Sequence, residues 1–384
     1  MNTVQLGCER LLEDPGPIVG GTRVGLLTNP SGIGRDFRTT IERFVEHPAI
    51  DLVALFGPEH GVRGEAQAGE HVAAGGDPKT GLPIHSLYGD TRAPTADMLA
   101  GLDTIVVDLQ DIGVRYATYL STLAHIMTAC ASHDTDVIVL DRPNPLGGRT
   151  IRGNILEEAF ASFVGIHAMP ILHGLTIGEF GRLWASAMHL PEPTVVTMRG
   201  WDRGMAYDET GLPWVPPSPN LPTLDSVLIY PATCLLEGTN LSEGRGTTRP
   251  FELFGAPWIE PDELAAELRK VDAPGVAFRP VYFTPAFSKH AGARCGGVQI
   301  HVTERRAVES VGLGIELLRI VRRIAPDRFA WLPPTNRLFF IDLLCGTDQV
   351  RLAIDADLGV RPILDRWESD SRAFEASRAT SLLY

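Results

Sequence analysis

The residues best placed for chemistry in this chain are carboxylates set beside glycine and proline at the ends of apolar runs. Glu59 stands in Gly57-Pro58-Glu59-His60-Gly61, directly after the apolar run 51–56. Glycines on both sides allow a ligand to approach the backbone closely. A glutamate fixed there can serve as general acid or nucleophile, depending on its partner and its desolvation. It can equally cap the next helix or pair with Arg63. Asp108 and Asp111 flank Gln110 and precede Arg115-Tyr116. One is a candidate second carboxylate; the other can pair with Arg115, or, for Asp111, cap a helix opening near Arg115. Asp141-Arg142-Pro143-Asn144-Pro145 reads as an ion pair and a rigid turn from which Asn144 can face a cleft. Further on, Glu237-Gly238-Thr239-Asn240 leads into Ser242-Glu243-Gly244-Arg245-Gly246-Thr247-Thr248. This loop is too polar for a core. It can present Arg245 to an anionic group, or it can be a solvated surface loop.

Other chemistries have less to stand on. His60, His71, His85, Asp108 and Asp111 could contribute to a metal site, but no HExxH, HxH or close Cys/His cluster occurs, so no metal is expected. No GxGxxG follows the first strand, and there is no GxxxxGK[ST] or GxSxG, so no nucleotide cofactor is expected either.

The elements that must position these groups follow a βαβ rhythm. Short apolar runs at 23–28, 51–56, 104–109 and 136–140 read as buried parallel strands, each ending in a polar or Gly/Pro-rich turn. Helical spacing appears at 39–47 and 119–132, and Thr176-Ile177-Gly178-Glu179 has capping-box spacing for a helix to about Met188. An open parallel sheet covered by helices is expected, with ligands bound beyond the carboxyl ends of its strands. Five prolines between 201 and 223 mark a connector. Beyond it come expected helices at 261–271 and 308–324, with strands at 276–283 and 298–302. The predicted architecture is α/β: a parallel-sheet domain over 1–224 and a second, α+β domain over 225–384.

The 384 residues are 44% hydrophobic and 21% charged, which is globular chemistry and enough for about two domains. A net charge of −13 repels phosphate backbones and anionic lipid, arguing against nucleic acid or a polybasic membrane contact. Lys79, Lys270 and Lys289 are the only lysines among 34 Lys+Arg, so Schiff-base chemistry has three positions and bidentate anion recognition has many. Five scattered cysteines without a CxxC suggest free thiols in a reducing compartment. No run approaches the roughly 18 apolar residues of a membrane span. Met1-Asn2-Thr3-Val4-Gln5 shows neither a basic region nor an apolar core, so a cytoplasmic location is expected.

At these residues the chain resembles the exo-acting β-N-acetylmuramidases of the NamZ type. The resemblance is carried by Gly25-Leu26-Leu27-Thr28-Asn29-Pro30, Phe56 to Gly61, Ser86-Leu87-Tyr88-Gly89 and Asp108 to Arg115. It continues through Asp141 to Pro145, His173-Gly174-Leu175-Thr176, Pro217-Ser218-Pro219-Asn220 and Glu237 to Asn240. Ser242 to Thr247, Pro250-Phe251-Glu252 and Gly255-Ala256-Pro257-Trp258 complete the order. It implies a Rossmann-like N-terminal domain, a smaller C-terminal domain and an active-site cleft between them. It also implies release of terminal N-acetylmuramic acid from the non-reducing end of peptidoglycan-derived disaccharides or muropeptides, with Glu59 as the family's glutamate. Many relatives of this type are exported.

Glycoside hydrolysis usually requires two carboxyl groups flanking the scissile bond. Glu59 is the expected proton donor, and Asp108, Asp111, Glu237 and Glu243 form the pool for its partner. Arg245 or Arg115 would clamp the lactyl carboxylate of the sugar, and Tyr116 or Trp258 would stack on its face. Asn29, His60, Asn144 and Asn220 are the remaining expected substrate contacts. Two other readings compete: a sugar-binding protein that keeps the cleft without turnover, and a metal-dependent hydrolase of another small anion.

Overall fold

Apolar residues adjacent in sequence point to opposite faces of a strand, and that alternation builds the larger sheet. The computed structural model describes residues 3–359 and 361–384; Met1 and Asn2, which open the stretch read for an export signal, lie outside the described residues. Seven strands form the sheet: β1 (Arg23–Thr28), β2 (Asp51–Gly57), β3 (Gly75–Gly76), β4 (Pro83–Ser86), β5 (Thr104–Asp108), β6 (Asp136–Leu140) and β7 (Thr194–Val196). Their order is β3-β4-β2-β1-β5-β6-β7, and every pairing is parallel except β3 with β4. Leu27, Phe56, Val107 and Val139 pack on one face against the helices Tyr119–Ala131 and Ile177–Met188. Leu26, Leu55, Val106 and Ile138 pack on the other with Phe44 of the helix Thr40–Glu46. Capping boxes open two of these helices: Thr39 with Glu42, and Thr176 with Glu179.

The second domain holds a three-stranded antiparallel sheet, β8 (Leu253–Ala256), β9 (Val276–Phe283) and β10 (Cys295–Val302), in the order β8-β10-β9. The helices Leu224–Thr233, Pro261–Leu268 and Ser310–Ile324 contribute to its core, joined by Phe340–Cys345, Gln349–Asp355 and Trp367 of Arg361–Ser377. The expected α/β architecture with a smaller second domain is therefore present. The Pro-rich stretch after Trp201 contains only a short 3-10 turn, Tyr207–Glu209.

The cores of the two domains interlock. Ile112, Val114, Tyr116, Ile171 and Leu172 come from the sequence of the first domain but bury themselves in the core of the second. In return, Phe374 and Leu382 join one face of the large sheet and Tyr384 the other. Tyr384 donates its hydroxyl to Asp141 (2.7 Å) and accepts from the Met198 amide (2.8 Å). Arg378 adds hydrogen bonds to the carbonyls of His173, Gly174 and Gly148.

Candidate active site

Beyond the carboxyl end of β2 the chain turns sharply. His60 and Gly61 both adopt left-handed backbone angles (φ 74° and 77°), a conformation costly for the histidine. The turn leaves Glu59 half-exposed in a recess also lined by His60, Thr118, Tyr119, Tyr230 and Arg245. Residues from both domains form its walls. Glu59 is the one carboxylate among its lining residues.

Two donors orient Glu59. Thr118 Oγ1 donates to Oε2 (2.7 Å), and the Gly69 amide donates to Oε1 (3.1 Å). His60 uses Nδ1 against the Ala66 carbonyl (2.9 Å), which places its proton on Nδ1 and leaves Nε2 an acceptor. Burial lowers the pKa of this imidazole. Arg63 does not pair with Glu59; it binds Asp77 at 2.7 Å.

Across the recess, Arg245 sits against the ring of Phe251, 5.0 Å from its centroid. Its Nη2 donates to Glu237 (2.8 Å) and its Nε lies 3.2 Å from Glu243. Burial opposes its charge, but Glu237 and Glu243 more than offset that and raise its pKa. Its Nη1 is buried without a protein partner. The loop is not a solvated surface segment, since Thr239, Ser242 and Glu243 are all buried.

Other expected residues lie beneath the recess. Tyr116 lines it but gives its hydroxyl to the Pro231 carbonyl. Asn29 donates to the Tyr119 hydroxyl (2.7 Å) and the Pro217 carbonyl (3.2 Å), and Asn220 donates to Gln67 (3.2 Å). Both asparagines are buried and fix the walls rather than face the open space. Some expected residues are not brought to the recess. Asp108 is wholly buried, held by Arg142 through two nitrogens (2.6 and 2.9 Å) and by Thr40. Arg142 thus pairs with Asp108, and Asp141 instead accepts from Thr176 and Tyr384. Arg115 is 0% exposed and donates to the carbonyls of Asn154, Met169, Leu344 and Cys345. Asn144 closes its own turn between Leu146 and Leu175. Trp258 packs against the core of the second domain.

Asp111 accepts from the Gly113 amide (2.7 Å) and caps no helix, because the helix starts at Tyr119. Burial pushes its carboxyl up to about 7. His173 lies 3.8 Å away, but burial pushes its imidazole down to about 3, so the two do not form an ion pair. Among the described residues, no group of three His, Cys, Asp or Glu side chains is arranged to hold a metal ion.

The family described as exo-beta-N-acetylmuramidase NamZ matches this chain in two parts: its N-terminal domain over residues 24–225 and its C-terminal domain over 228–384. The chain belongs to this family. Its members are glycoside hydrolases. The peptidoglycan beta-N-acetylmuramidase NamZ of Bacillus subtilis (strain 168) is 45% identical over 382 residues, covering 99% of this chain and 91% of that protein. Two solved structures of DUF1343 family proteins from Bacteroides fragilis NCTC 9343 share the fold. One has a TM-score of 0.90 and 37% identity, covering 100% of both chains. The other has 0.78 and 30%, covering 100% of this chain and 99% of its own. The motifs that carry the NamZ resemblance meet at the recess, through Glu59, Ile112, Pro217, Arg245 and Phe251. Thr118, Tyr119 and Tyr230 also line it, yet their types and spacing give no chemical signal in the sequence.

Proposed function

We propose that this member of the NamZ family hydrolyses the terminal, non-reducing N-acetylmuramic acid of peptidoglycan-derived disaccharides and muropeptides. The observation that carries this reading is the pairing of one oriented carboxylate, Glu59, with one unspent arginine edge, Arg245 Nη1, across a single recess. Glu59 donates a proton to the leaving oxygen, and Arg245 binds the lactyl carboxylate that distinguishes this sugar from N-acetylglucosamine. Of the expected pool, Glu237 and Glu243 lie on the arginine side. Glu237 is the more open of the two, with 21% of its side chain exposed against 2%. We assign it the second carboxylate's role.

A second reading is favoured by Glu59 being the one carboxylate among the lining residues: the substrate's own acetamido oxygen takes the place of that second group. The five cysteines, all buried and unpaired, support action in a reducing compartment.

Chromogenic N-acetylmuramide tests the proposal. Glu59→Gln lowers kcat by about 10³ with the fold retained, in the usual range for a lost proton donor. Undiminished turnover removes Glu59 from the mechanism. Glu237→Gln matches that loss on the first reading and stays within about tenfold of wild type on the second. Arg245→Lys loses discrimination between N-acetylmuramide and N-acetylglucosaminide; retained discrimination overturns the clamp.

A further inference from the structure

Lys289 stands one ion pair behind Arg245, and its surroundings are unusual for a lysine. Its ammonium donates to the carbonyls of Leu236 (3.0 Å), Thr239 (3.0 Å) and Leu241 (2.8 Å), with the Glu237 carbonyl at 3.4 Å. Glu243 Oε2 lies 3.0 Å away. An ammonium carries three hydrogens, so this cradle offers it more oxygens than it has hydrogens. Such an arrangement suits a compact cation surrounded by carbonyl oxygens. The backbone is bent to deliver it: Ser288 and His290, on either side, both have left-handed angles (φ 68° and 58°). The same segment is tied to the loop of the recess, with the Ala286 amide on the Gly246 carbonyl (2.8 Å) and His290 on the Asn240 carbonyl (2.7 Å).

We propose that Lys289 is a positioning residue, a tethered monovalent cation that fixes the 236–241 turn and Glu243 and so holds Arg245 in the wall of the recess. This rests on the reading of Arg245 as the clamp for the substrate's carboxylate. Glu243 is the link, because its two oxygens divide between Lys289 and Arg245. A planar guanidinium cannot replace the ammonium in a rounded cradle. The cradle thus explains a lysine here in a chain that otherwise favours arginine.

The full-length chain with Lys289→Ala, assayed on chromogenic N-acetylmuramide in sodium salts, raises KM about tenfold and changes kcat less. That is the size of one weakened charge-assisted hydrogen bond. Potassium or ammonium chloride restores KM, since those ions suit oxygens spaced for an ammonium and sodium is too small. Lys289→Arg keeps the charge and does not restore KM. A wild-type KM for Lys289→Ala, or a raised KM that is the same in all three salts, overturns the proposal. If Lys289→Ala yields no folded protein in any salt, Lys289→Met, which fills the approach without a charge, is measured instead. A raised KM supports the proposal and a wild-type KM overturns it. Arg245→Lys in the same assay separates the two inferences. Retained discrimination between the two sugars overturns both. Lost discrimination together with an unmoved Lys289→Ala overturns only the role of Lys289.

Discussion

At Asp111 a carboxyl has been taken fully out of water, with one backbone amide as its hydrogen-bond donor and Oδ1 left without a partner. Burial raises it to about 7, so folding takes up a proton here between that value and the unfolded carboxyl's pKa of about 4. The stability this group contributes is whole below about pH 4 and is lost as the pH rises through 7. Asp111→Asn, which retains an acceptor for Gly113, therefore gains Tm relative to wild type as the pH is raised from 4 to 8. A difference in Tm that does not vary with pH would refute this. Asp111 and Arg115 also show why residue roles were only partly legible. Both sit in the motif 108–115 beside recess residues, and their types suit acid catalysis and anion binding. Depth separates them from Glu59 and Arg245: Arg115 is enclosed by backbone carbonyls and is not part of the recess wall, while Arg245 lines it. No spacing rule encodes that depth.

Among the elements, the helix Tyr119–Ala131 matters most to the site because its first turn supports both walls. Thr118 holds Glu59, and the Tyr119 hydroxyl donates to the Pro217 carbonyl of the connector. Thr118→Val, which keeps the shape and removes the hydroxyl, lowers kcat by about tenfold while circular dichroism and Tm stay near wild type. Unchanged kcat would mean that the Gly69 amide alone orients Glu59. The central strands and their covering helices were legible because continuous apolar runs and capping boxes are strong local signals. β3, β4 and β7 were not, being only two to four residues long and dependent on pairing with a neighbour. The helix Leu224–Thr233 was hidden by Pro231 inside it, which tertiary packing accommodates. Expected strand 298–302 begins earlier, at Cys295, because Gly296 and Gly297 lie where neighbouring backbone leaves no space for a side chain.

For the whole molecule, the interlocked cores mean that neither domain owns all of its own interior. The second core includes Ile112 and Tyr116, and the first sheet is closed by Phe374, Leu382 and Tyr384. Urea unfolding followed by tryptophan fluorescence and by far-UV circular dichroism is expected to give one coincident transition. Two separated transitions would show that the domains unfold independently. Deleting residues 378–384 removes Tyr384, which is one donor to Asp141 and the acceptor for the Met198 amide, and leaves Gly148 without Arg378. Far-UV and fluorescence midpoints then fall together, although the deletion touches only the larger domain. The same interlock bears on how such a sequence can change. A crossover near residue 225, where the two matched parts of the family adjoin, would combine a 112–116 hook from one parent with a socket from another. Chimeras between distant members should therefore fail to fold unless hook and socket are exchanged together, so the two halves are inherited as one unit.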